Sequence, residues 1–115
     1  MREALAAEGF GVLNEIDVQA TLREKLGVER TPYKILGACN PALAHRALEV
    51  DPEIGLLLPC NVVVRADESG RTVVSAFEPL VMVEGFGRED LLPVASEARE
   101  RLQRALATLE GSARP

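Results

Sequence analysis

Ile35-Leu36-Gly37-Ala38-Cys39-Asn40-Pro41 is an apolar run that stops at an asparagine followed by a proline. Asparagine is a favoured helix N-cap, and proline is favoured at the first helical position, where its missing N–H costs nothing. The spacing therefore predicts a strand over 33–39 that turns directly into a helix. An echo follows at Leu56-Leu57-Leu58-Pro59-Cys60-Asn61-Val62-Val63-Val64. From Ile54 to Val64 the chain is almost continuously apolar, which suits a central strand covered on both faces. Pro59 lacks a donor and marks an interruption before a regular strand over 61–65.

Working outward from these two strands, Arg2 to Glu8 has a helical pattern closed by Gly9, too short to be stable alone. Phe10 to Asp17 alternates as a half-buried strand does, with Phe10, Val12 and Ile16 on one face and Glu15 and Asp17 on the other. Asp17 caps a short helix whose Val18, Leu22 and Leu26 recur at i, i+4 and i+8 up to Gly27. After Pro41 the helix buries Leu43, Ala44, Ala47 and Leu48 and ends at Asp51-Pro52. Ala66-Asp67-Glu68-Ser69-Gly70 reads as a hairpin turn and Thr72 to Phe77 as the returning strand. Leu80 to Val83 is compatible with a short strand, and Gly85-Phe86-Gly87 with a turn. The last helix covers about 90–109 on a stripe of Leu91, Ala95, Ala98, Leu102, Ala105, Leu106 and Leu109, with Pro93 in its first turn. Glu97 with Arg101 and Glu100 with Arg104 are i,i+4 pairs on its outer side. The hairpin is antiparallel, so the element order predicts one α+β domain over 1–110, two layers deep, with helices packed on one face of a mainly antiparallel sheet. Residues 111–115 read as a disordered tail.

The composition narrows the function classes. The 115 residues are 47% hydrophobic and 3% aromatic, so the core is built from Leu, Val, Ile and Ala rather than from rings. With 18 acidic against 13 basic residues and a net charge of −5, the chain lacks the basic stripe and stacking aromatics of a nucleic-acid binder. It has no apolar run near the ~20 residues that span a bilayer, and its first residues lack a signal-peptide core. A cytoplasmic protein with neither nucleic-acid nor membrane partners is expected.

Several stretches together resemble one known family. Glu8-Gly9-Phe10-Gly11-Val12, Glu15-Ile16-Asp17-Val18, the 35–41 run, Ala44 and the 55–64 run are similar to the bacterial and archaeal family catalogued as domain of unknown function 302. The likeness runs from about Arg2 to Pro79 and, more loosely, through the last helix. It implies a compact fold of helices against a mainly antiparallel sheet, a tendency to dimerise and no agreed activity. Members of that family begin with a further strand and a longer first helix. Absence of that strand would expose a sheet edge and favour association.

The candidate site is the pair of Cys-Asn dipeptides. The two cysteines lie 21 positions apart, neither a CxxC nor a zinc-finger spacing, and in a reducing compartment both are expected as free thiols. Cys39 precedes the N-cap, so its sulfur would lie beside the free N–H groups of the Pro41 helix, an environment that makes a thiol reactive. The competing reading is packing, since free cysteine is among the most buried residue types. Cys60 shares parity with Leu58, Val62 and Val64, which also favours packing. If the strands are neighbours, Cys39, Asn40, Cys60 and Asn61 converge on a site for a small ligand or a soft metal. His45, one turn past Pro41, would complete a Cys2His set, although a lone histidine is more often a surface or core residue and a structural zinc site usually has four ligands.

Other chemistry finds less support. Ser69, Ser75, Ser96 and Ser112 have no neighbouring base, Gly85-Phe86-Gly87 falls short of a phosphate-loop fingerprint, and Asp51 with Glu53 reads as a solvated loop pair. Two function classes follow: a binding module at the Cys-Asn site, with cofactor and metal unassigned, or a homo-oligomeric interaction domain whose sheet or edge pairs with another copy, most simply as a dimer, with buried cysteines. An enzyme ranks behind both.

Overall fold

In the computed structural model, which describes residues 1–113 and the side chains of residues 1–109, the Asn40-Pro41 corner forms as its chemistry requires. Strand β2 (Tyr33–Cys39) stops at Asn40, whose Oδ1 accepts from the Leu43 N–H at 3.2 Å, and helix α3 (Pro41–Val50) begins. The described residues place α1 at Arg2–Ala7, β1 at Gly11–Asp17 and α2 at Val18–Leu26 before this corner. After it come β3 (Cys60–Ala66), β4 (Thr72–Ala76), α4 (Val81–Phe86) and α5 (Leu92–Ala113). The expected tail at 111–115 thus falls at the end of α5 and, for 114–115, outside the described residues.

The sheet has the order β1-β2-β3-β4 with every pairing antiparallel. The fold is the expected α+β arrangement. Leu36 and Ala38 on β2 and Cys60 and Val62 on β3 are buried on the same side. They meet Leu5 of α1, Leu43 and Ala47 of α3, Met82 of α4 and Val94, Ala98, Leu102 and Ala105 of α5 in one cluster. Each large aliphatic chain so buried contributes about 1.5–3 kcal/mol. The β3–β4 turn is held by Asp67, whose Oδ1 accepts from the Ser69 N–H and hydroxyl and from the Arg71 N–H. Those bonds, with the Ser69 hydroxyl first, hold its carboxyl below the usual range.

Several expectations are corrected, some by partners distant in sequence and some by caps two residues away. The alternation along 10–17 breaks at a bulge between Val12 and Asn14. Leu13 is the additional residue, so beyond it the faces exchange: Glu15 lies opposite Leu36 and Ile16 opposite Ile35. Ile16 therefore leaves the face of Val12. On α3, Leu43 and Ala47 face the core one turn apart, which carries Leu48 around the helix to 43% exposure, and Ala44 is only half-buried.

The apolar stretch after Pro52 is not the start of a strand. Asp51 accepts from the Glu53 N–H at 3.0 Å and Pro52 pre-sets the backbone, so 52–57 winds into a 3-10 helix. It buries Ile54 and leaves Leu56 78% exposed. Likewise 81–86 is helical, not extended. Glu78 accepts from the Leu80 N–H, which turns the chain, and Gly87 closes the helix at φ +62°. A 3-10 turn at Glu89–Leu91 precedes α5, and Arg104 reaches Glu8 at 2.9 Å instead of Glu100.

Candidate functional site

Strands β2 and β3 are neighbours, and Cys60 stands opposite Ala38, one residue from Cys39. Cys39, Asn40 and Cys60 line one small cavity with Phe10, Leu43 and Met82. Its volume is about 20 Å³, near the smallest void that holds a single water. The lining is almost wholly apolar.

Within it Asn40, only 8% exposed, uses both ends of its amide. Its Oδ1 caps α3, and its Nδ2 donates to the Glu8 carbonyl at 3.3 Å. That same carbonyl accepts from Arg101 Nη1 at 3.1 Å, while the Glu8 carboxylate takes Arg104. Asn40 is thereby a stitch between the end of α1 and the start of α3, with α5 tied to the same point. The sequence carried no long-range sign of this hub. Its local sign was Glu8-Gly9-Phe10, where Gly9 adopts φ +85°.

Burial pushes the Cys60 thiol up to about 11, and the nearby Cys39 adds to the rise. At neutral pH the thiol is protonated, a poor nucleophile and a poor metal ligand. Cys39 is half-buried, and no disulfide joins the pair. Asn61 lies outside the cavity: it is exposed on the opposite face of the sheet, across from Gly37. His45 is exposed beside Glu49, 3.9 Å away. Among the described residues no group of three or more His, Cys, Asp or Glu side chains gathers to hold a metal. Nor is any described helix long and apolar enough to cross a membrane.

Sequence reading named the sheet or its edge as a pairing surface but not the residues of the face turned away from the helices. Ile16, Ile35 and Val63 form a cross-strand row there, which ends at Ser75 on β4, and Val73 lies on the same face opposite Arg65. None of them belongs to the described core cluster. The parity of Ile35 against Leu36 was the available signal.

Comparison with known proteins agrees with this architecture. The crystal structure of an uncharacterized conserved protein DUF302 from Bacillus stearothermophilus superposes with a TM-score of 0.85 at 36% identity. The match covers 92% of this chain and 82% of that one. No curated protein matches significantly. The profile described as "Domain of unknown function DUF302" matches residues 1–109. The chain belongs to the family of the domain of unknown function DUF302.

Proposed function

We propose that this domain is an association module that pairs with a second copy of itself through the sheet face turned away from the core. The observation that carries the reading is the Ile16–Ile35–Val63 row, an apolar stripe across three strands with Ile16 46% exposed. A sheet face normally presents polar side chains to water. Shape supports the same reading. The chain forms a slab of 43 × 39 × 22 Å with a radius of gyration of 15.5 Å, against about 13 Å for a domain of this length.

Helix α2 adds a second argument. It has nine residues and buries none of them, whereas isolated helices shorter than about 12–15 residues are marginal in water. Val18 and Leu22 on it are half-buried, Leu26 is 70% exposed, and the helix follows directly on β1 after Ile16 and Asp17. Four strands spaced about 4.8 Å and roughly 20 Å long give a face near 400 Å² in projection. A stable pair buries about 800 Å² per partner, so the α2 stripe joins the sheet in this arrangement. A two-fold pairing sets the same patch on both copies.

A ligand site at Cys39, Asn40 and Cys60 is the lesser reading. Its cavity has room for a water rather than a metabolite, and the Asn40 amide is already committed to Glu8 and Leu43. Two cysteines unbonded to each other suit a reducing interior such as the cytoplasm.

Light scattering over a range of micromolar concentrations tests the association. The wild type is expected above the 12.4 kDa of one chain, and an Ile16→Lys/Val63→Lys variant with unchanged circular dichroism is expected at that mass. A wild type that stays at one-chain mass throughout sinks the reading.

A further inference from the structure

Two charged residues stand on the side of the sheet that faces the helices. Lys34 is paired with Val64, and Glu15 with the buried Leu36. Charge at core-facing positions is costly unless water reaches it. Water does reach it: beside α1 lies an open groove of about 500 Å³. Met1, Leu36 and Val64 line it, together with Glu15 and Lys34 from the sheet and Arg2 and Glu3 from α1.

The charges in the groove are incompletely matched. Arg2 Nη2 and Lys34 Nζ approach the same oxygen, Glu15 Oε1, at 3.8 and 3.7 Å. Both distances exceed the ~2.7–2.9 Å of a charge-assisted hydrogen bond. Two cations thus share one carboxylate oxygen loosely, and among the described residues Glu3 pairs with neither. A second carboxylate would give each cation an anionic partner at hydrogen-bonding distance. An alkyl chain on that carboxylate would cover the half-buried Met1 and Val64, and the volume falls within the ~300–1,000 Å³ of small-molecule sites.

We propose that this groove binds a small amphipathic carboxylic acid, its carboxylate between Arg2 and Lys34 and its apolar body on Met1 and Val64. A monoanion fits better than a phosphate ester, whose second charge would meet Glu15 and Glu3. The site lies on the other side of the sheet from the association surface and stands independently of it.

The test is a titration of octanoate into the isotopically labelled chain, followed by amide NMR, with 1-octanol as the uncharged control. Saturable shifts centred on Lys34, Leu36 and Val64 are expected, with octanol weaker by about tenfold, the worth of one charged hydrogen bond. Lys34→Gln should weaken octanoate by a similar factor and leave octanol unchanged, with the melting temperature of the free variant as the check on folding. If that variant fails to fold, Arg2→Gln carries the same comparison. Absence of saturation, equal affinity for octanol, shifts centred elsewhere, or undiminished octanoate binding in the folded variant overturns the proposal.

Discussion

Gly9 and Asn40 are in direct contact: a Cβ on Gly9 would lie 2.8 Å from Asn40 Nδ2, and Gly9 holds φ at +85°. Gly9→Ala therefore meets two penalties at once, a left-handed backbone that L residues avoid and a displaced buried amide. A loss of about 2–3 kcal/mol in urea unfolding is expected. A cost below about 0.5 kcal/mol would show that the turn relaxes freely.

Asn40 itself separates into two roles. Asn40→Ala removes both the α3 cap and the bond to Glu8, for a combined loss of about 2 kcal/mol. Asn40→Ser retains a capping oxygen but cannot reach the Glu8 carbonyl, so its loss should be about half as large. Equal losses for the two variants in chemical denaturation would mean that the stitch to Glu8 contributes nothing.

Gly37 is required by what lies over it. A Cβ there would overlap Asn14 Oδ1 and come within 2.9 Å of Pro59 Cγ. Gly37→Ala is expected to destabilise by about 1–3 kcal/mol. In an Asn14→Ala background the penalty should shrink, leaving only the Pro59 contact. A double-mutant cycle measures this, and strict additivity of the two changes would exclude the Asn14 contact as the cause.

Cys60 gives the chain an alkaline limit. Its thiol is pushed up from 9.0 to about 11 by burial, so the folded state keeps its proton where the unfolded state has lost it. This contribution to stability is fully present below pH 9, falls between about 9 and 11, and is gone above. The fall is on the order of 2–3 kcal/mol, and it is absent in Cys60→Ala. Urea midpoints across that pH range for the two proteins check it, with parallel curves as the contrary result. At neutral pH the half-buried Cys39 should alkylate in the native state and the 5% exposed Cys60 only on unfolding.

What the sequence by itself determined lies where cause and effect are a few residues apart. The Asn40 cap with Pro41, the Asp17 cap of α2, the Asp67 turn and the inward parity of Cys60, Val62 and Val64 each depend on neighbours within about one turn or one strand. The same parity placed Asn61 on the other face from Cys60, which was legible before the fold was known. The tertiary structure alone decided where local preferences were balanced and a distant partner broke the tie. The bulge at Leu13 follows from pairing with Gly37 and Ala38, and it sends Ile16 to one face and Glu15 to the other. The Asp51 cap and Pro52 start the 52–57 run as a 3-10 helix locally, and the fold decided only which of its apolar residues is buried, Ile54 rather than Leu56. Asn40, legible as a cap, became a stitch only through Glu8, 32 positions away. A hydrogen bond or a buried methyl is worth the same wherever its partner sits in the chain, and sequence spacing records only the partners that are near.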